Sequence, residues 1–434
     1  MSEDFVGIVG CISFARLKNS GYYFKQLSDI DLATSTYISE TNTEETGWTP
    51  IGDAMSTQFL GYYDGNGKVI RNLTCSDEES QMFALFGGTS GATISNLGLE
   101  DVNITADTGA APLICYAIST TITNCYASGQ VTSSEGSGGL IAAGIMANVH
   151  DSYSTVTIKS EGQVGGIISV LEIGNLSNCY YSGNIEGVYD TGGLIGGCSQ
   201  GTIRNCYVIN ANIEGTSDSI GGLIGNNYEA NIIDSYLKDS TVTGTDDIGG
   251  IVGRNEGRLT GCYTQNSTIK TNDSGYNMGG LVGYNDNTIS ECHVKNTEVL
   301  GNYNVGGLIG YNSGYIENSY VKEITVNGTN DGIGGIAGTN ERDYYSEPET
   351  TGLANCSAEG TVSGNDEVGG LVGQNKYNCS VLESTSNCTV TGNSMVGGLV
   401  GHNKGVVDTE SSANGSVDGS SLVGDRIGFD DVEG

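Results

Sequence analysis

The chain has 434 residues, with 51 Asp and Glu against 17 Lys and Arg for a formal net charge of −34, and it carries 69 Gly but only 3 Pro. Collagen, which needs Gly at every third position and abundant Pro, is excluded, and a surface for nucleic acid or anionic membrane is disfavoured because it needs positive charge. No apolar run approaches the ~18 residues of a transmembrane helix, yet a hydrophobic share of 37% is enough for a core.

The first residues, Met1-Ser2-Glu3-Asp4, are acidic and lead no apolar stretch, so no signal peptide is expected in this chain. Residues 1–54 fit the repeat poorly and hold the only Trp, Trp48. They are read as a divergent first coil or a cap over the end of a repeat array. Residues 55–434 repeat. Gly192-Gly193-Leu194-Ile195-Gly196 returns at Gly221, Gly249, Gly279, Gly306, Gly334, Gly369 and Gly397. Weaker copies precede it at Phe83, Ala111, Gly138 and Gly165. Successive starts lie 27 to 30 residues apart, with one spacing of 35.

Within each copy, short runs rich in Ile, Val, Thr and Tyr alternate with Asn, Gly, Ser and Asp, and no helical stripe persists. Three short strands in about 27 residues match one coil of a parallel β-solenoid. The expected fold is therefore all-β, a parallel β-solenoid of about twelve coils of 27–30 residues, in the right-handed sense. A propeller blade needs a longer repeat and four longer strands.

Stacked coils turn equivalent positions into columns. Six residues after the repeat start stand Asn227, Asn255, Asn285, Asn312, Asn340, Asn375 and Asn403. Their amides are read as a ladder bonding from coil to coil. A second column holds only Cys or Ser: Cys125, Ser152, Cys179, Cys206, Ser235, Cys262, Cys292, Ser319, Cys356 and Ser384. Asn, Asp or Gly usually precedes it, residues that tolerate a left-handed corner, and the small side chain is expected to point inward. Neighbours such as Cys179 and Cys206 could cross-link if their coils stack in register. The next residue forms a third column: Tyr126, Tyr153, Tyr180, Tyr207, Tyr236, Tyr263, His293 and Tyr320. Strand alternation then places it outward. That row either shields the sheet or offers a platform for sugar rings or a partner protein.

The unit Gly-Gly-Leu-Val-Gly-x-Asn, as at Gly279–Asn285 and Gly397–Asn403, resembles the GLUG-motif repeat. Upstream segments such as Trp48-Thr49-Pro50-Ile51-Gly52 and Phe59-Leu60-Gly61-Tyr62-Tyr63-Asp64-Gly65-Asn66-Gly67 resemble the lead-in to such repeats. The resemblance implies a fragment of an extracellular or surface-attached bacterial or archaeal protein, often adhesin-like. In some immunoglobulin-cleaving enzymes these repeats stand beside protease domains, but this sequence shows no protease motif. The resemblance transfers no catalytic residue.

The remaining chemistry is sparse. Only His150, His293 and His402 exist, and no zinc-protease, serine-hydrolase or phosphate-loop motif is present. A carbohydrate-active enzyme on a β-helix stays an alternative by fold analogy alone. No cofactor is expected, with calcium as the exception to weigh. Asp190, Asp218, Asp246, Asp247, Asp331, Asp366 and Glu367 precede the Gly-Gly starts. They read as a solvated acidic edge, or, at Asp246, Asp247, Asp366 and Glu367, as oxygen ligands for a hard cation. The long spacing implies an inserted loop at 341–350, whose Tyr344 and Tyr345 are further candidate contacts. The ten Asn-x-Ser/Thr sequons follow from a composition rich in those residues. The expected function is a non-catalytic adhesin-like or stalk module binding a host or community glycan or surface protein. A subunit assembling end to end into a fibre is the structural alternative.

Overall fold

The computed structural model describes residues 22–33, 48, 50–52, 57–76, 82–272, 274–342 and 351–431, together with the backbone of Val6–Ile8, Thr36–Ile38 and Glu44–Thr46. Tyr344, Tyr345 and most of the 341–350 insertion lie outside the described residues. Among those described there is no helix, and the fold is a parallel β-solenoid. It comprises two compact units, residues 1–207 and 208–434.

The regular coil has five short strands where three were expected. One coil of the second unit runs Asn231–Ile233, Tyr236–Lys238, Thr241–Gly244, Asp246–Gly249 and Val252–Asn255. Two of the breaks hold a left-handed residue, Asp234 and Asp239 with φ of 50° each, and Asp247 is left-handed inside its own strand at 46°. The next coil uses Gly261, Asn266 and Asn277 at the same places. Asn and Asp reach this region at the least cost after Gly. Exposed amides also link these corners between coils, as from Asn266 to Asp239 at 2.9 Å and from Asn296 to Asn266 at 2.9 Å.

Coils pair in parallel, as in Tyr236↔Tyr263 and Val252↔Val282, with a bulge in a few pairings, as between Lys322 and Ile324. The core is therefore built of columns. Ile232, Leu237, Val242, Ile248, Ile251 and Val252 of one coil are fully buried. Such burial contributes ~1.5–3 kcal/mol per large side chain.

The Gly-Gly-x-x-Gly unit exists because backbones approach where a Cβ would stand. A Cβ on Gly280 would lie 2.2 Å from the Gly307 carbonyl oxygen, and one on Gly310 would lie 2.3 Å from the Met278 nitrogen. The last glycine thus sits against the left-handed corner of the preceding coil, at Asn277.

In the first unit the strands following this unit are Phe86–Ser90, Ile114–Ile118, Ile141–Ile145, Ile168–Glu172 and Ile195–Cys198. The second unit has eight, the last being Ile427–Asp430. That last strand belongs to a further coil beyond the twelve expected. Gly424-Asp425-Arg426-Ile427-Gly428 is a disguised copy of the unit, with Gly424 in register with Gly397 and Ile427 with Val400. Part of the 1–54 segment also stacks as coil: Tyr23–Gln26 runs parallel to the Tyr62–Arg71 strand, with Tyr23 opposite Tyr62.

Candidate functional site

The Cys/Ser column points inward, and each residue before it is left-handed, from Asn124 through Asp151, Asn178 and Asn205 to Glu383. The eleven described cysteines are buried thiols, none in a disulfide. Burial pushes Cys125, Cys198 and Cys356 up to about 12. It raises Cys179 and Cys292 as well, with a neighbouring thiol on an adjacent coil, Cys206 and Cys262 in turn, adding to the shift.

The Asn column is a continuous buried ladder. Asn227 Nδ2 donates to Asn255 Oδ1 at 2.8 Å, and the pattern repeats through Asn285, Asn312, Asn340 and Asn375 to Asn403 at 2.8–3.0 Å. Asn403 then donates to Asp430 Oδ1 at 2.8 Å. All donors point the same way, and a carboxylate receives the last one.

The tyrosine column faces outward and is half-buried throughout. In the first unit the rings of Tyr126, Tyr153, Tyr180 and Tyr207 stack at centroid spacings of 5.0, 4.7 and 5.1 Å, within 6° of parallel. In the second unit Tyr236, Tyr263, His293 and Tyr320 stack at 4.7, 5.0 and 4.9 Å, within 8°. Ring faces inside each row are occupied by the neighbouring ring. What reaches solvent is a line of ring edges and hydroxyl groups. A sugar could not lay its apolar face on an interior ring, where only ring edges and polar groups are in reach. Partial burial raises the phenols of Tyr153, Tyr180 and Tyr263. Tyr126 is pushed up to about 12 by burial and by its hydrogen bond to Glu100 at 2.8 Å. They are all neutral hydroxyls at neutral pH.

The carboxylates weighed as cation ligands each have a partner in the protein. Asp247 accepts from Asn277 at 2.8 Å and faces Arg254 at 3.7 Å. Asp246 accepts from the Tyr276 backbone at 2.7 Å, and Asp366 from Asn393 at 3.3 Å. Glu367 is paired with His402 Nδ1 at 2.7 Å and accepts from Gln374. Among the described residues no three or more of His, Cys, Asp and Glu are grouped to hold a metal ion. His402 has a carboxylate on both sides, with Nε2 4.0 Å from Asp431. His150 is tied to Thr123 at 2.8 Å and Asp151 at 3.1 Å.

Two aromatic pairs escaped the column reading. Tyr276 stacks on Tyr303 at 4.9 Å, and Tyr284 on Tyr311 at 5.3 Å, with the Arg254 guanidinium 4.2 Å over the Tyr284 ring. Each pair is separated by 27 residues, a periodic signal too short to show as a column.

These coils lie where the comparison with known families finds its match, at residues 274–299 and 301–327. They carry the GLUG motif. In GLUG terms, the three glycines are the close-approach positions and the Asn is the buried rung of the ladder. No curated protein matches the chain. Among solved structures, a candidate immunoglobulin A1 protease from Bacteroides ovatus is 21% identical with a TM-score of 0.41, over 58% of this chain and 71% of that one. Another, described as an IgA1 protease, is 15% identical with a TM-score of 0.42, over 68% of this chain and 22% of its own length. No described helix is long and apolar enough to cross a membrane.

Proposed function

We propose that this GLUG-repeat chain is a non-catalytic, extracellular adhesin-like or stalk module that binds a glycan or a surface protein along its tyrosine-bearing face. The observation that carries the reading is the pair of stacked rows, Tyr126 to Tyr207 and Tyr236 to Tyr320. A fold-stabilising role alone does not require tyrosine. Phenylalanine would stack as well, without placing a line of hydroxyls at the surface. A rigid array of equally spaced donors also binds with little ordering cost.

The test is a glycan array probed with the full chain and with the Tyr180→Phe plus Tyr207→Phe variant, which keeps the stacking and removes two hydroxyls. Loss of signal in the variant supports the reading. Unchanged binding removes the first unit's row from the reading and leaves the Tyr236–Tyr320 row of the second unit, and Tyr180→Ala plus Tyr207→Ala then reports whether the first row matters at all.

A further inference from the structure

Two residues beyond the tyrosine row of the second unit, on the same outward side of the strand, stand Lys238, Gln265, Lys295 and Lys322. The register makes them a column: Lys238 opposes Gln265, Gln265 opposes Lys295, and Lys295 opposes Lys322. Lys270 lies on the neighbouring strand Thr268–Thr271, exposed. Four of the chain's ten lysines are gathered in four coils of a molecule carrying −34.

Lys295 and Lys322 face each other across one strand spacing of about 4.8 Å, an arrangement of like charges that costs stability. Lys238 is relieved by Asp239 at 3.8 Å. The Lys295 ammonium sits 5.2 Å from the Tyr320 ring centroid. Lys270 and Lys322 are exposed and have no carboxylate within ion-pair distance among the described residues. The Asp239 and Glu323 corners, Glu298, and Glu359, which stands opposite Lys322 on the next coil, border the strip, so the lysine line ends at Lys322. Burial and the Lys295 charge both lower His293, which is therefore a neutral ring at neutral pH.

We infer that the strip formed by the Tyr236–Tyr320 row and the Lys238–Lys322 column binds an anionic polysaccharide, sulfated or carboxylated, laid along the stack of coils. This rests on the tyrosine face being a binding face and names the class of ligand it takes. Three features agree. Ring faces inside the row are closed to sugar stacking, which removes the usual mode for neutral sugars along its interior. The groups left in reach are phenol and amide donors and ammonium ions, which suit carboxylate or sulfate oxygens. A polyanion would also offset the repulsion between Lys295 and Lys322. Nucleic acid offers the same charge, but single-stranded bases need open aromatic faces to stack on, and the faces inside the row are taken.

The full chain is titrated with a sulfated glycosaminoglycan oligosaccharide, its desulfated counterpart, a neutral dextrin and a single-stranded oligonucleotide of similar length, at low and moderate salt. Binding is expected for the sulfated probe and to weaken as salt rises. Lys295→Gln plus Lys322→Gln should cost about fivefold per lysine and flatten the salt dependence by about one counterion for each. Gln265→Lys should tighten binding, and Lys159→Gln, on the other unit, should leave it unchanged. Thermal melts of each variant check that the fold persists. Retained binding of the desulfated probe, which keeps its carboxylates, agrees with the inference; equal binding of the neutral dextrin, or a salt dependence untouched by the double substitution, overturns it while leaving the tyrosine face as a glycan site. Equal binding of the oligonucleotide overturns it in favour of unselective charge attraction. Binding of no glycan at all removes both the inference and the face on which it rests.

Discussion

Asn312 has its amide nitrogen committed twice, to the Gly314 carbonyl at 2.9 Å and to Asn340 at 2.9 Å, while its oxygen receives Asn285 at 2.8 Å. It is fully buried. Removing the amide leaves buried polar groups without partners, each costing about 1–3 kcal/mol. Asn312→Ala should therefore destabilise its coils by about 2–4 kcal/mol. Hydrogen exchange should rise first at the strands flanking residue 312, whereas the exposed Asn387→Ala should change little. A uniform rise in exchange over the second unit would mean that the ladder is not a local clamp. Asp247 poses the opposite problem. Burial, aided by Asp246 and Asp218, raises its pKa against the pull of Asn277 and Arg254. A carboxyl raised on folding favours the folded state while protonated, and that stability is lost as pH climbs through the folded pKa. Asp247→Asn keeps the acceptor for Asn277 and removes the charge. The variant should melt higher than the parent at pH 7, and the difference should close as pH falls to the carboxylate range. A lower melt at pH 7 would show that the Arg254 contact outweighs burial.

The element that repeats is a five-strand coil, and its legibility in the sequence was uneven for physical reasons. Ladders read well because stacking demands the same residue type at the same offset: the buried Asn column and the Cys/Ser column both lie where the spacing put them. The extra corners were hidden because a left-handed Asp239 or Asn266 looks like any turn residue. The closed ring faces of the tyrosine row were hidden too. Alternation tells which side a ring is on, not whether it lies flat on its neighbour. The final coil was missed because Asp425 and Arg426 replace a glycine and an apolar residue of the motif. Strand pairing still holds Gly424 and Ile427 in place. The motif glycines are the most brittle part of the element. In Gly310→Ala the new methyl would meet the backbone at Met278 and Asn277 within 2.4 Å, and backbone cannot yield as a side-chain tip can. Overpacking of this kind costs ~1–3 kcal/mol or more. The variant should expose the coil around residues 274–312 to limited proteolysis under conditions where the parent resists. Resistance equal to the parent's would mean that the corner can open without loss.

At the scale of the whole chain, the net charge of −34 is carried by a structure that sets equivalent residues of successive coils about one strand spacing apart. Self-repulsion is therefore built into the folded state, and it is relieved by screening, whose reach shrinks from ~30 Å at 0.01 M salt to ~3 Å at 1 M. The melting temperature should rise with sodium chloride over that range, in contrast to proteins held by surface ion pairs. Binding to the lysine strip should move in the other direction, weakening as the same salt is added. The two trends have opposite signs because one measures repulsion among carboxylates and the other attraction to a few ammonium ions. A single titration series in salt, read by calorimetry for stability and for sulfated-oligosaccharide affinity, separates them. If stability fell with salt, the acidic surface would have to be paired in the folded state far more fully than the few ion pairs of the described residues allow.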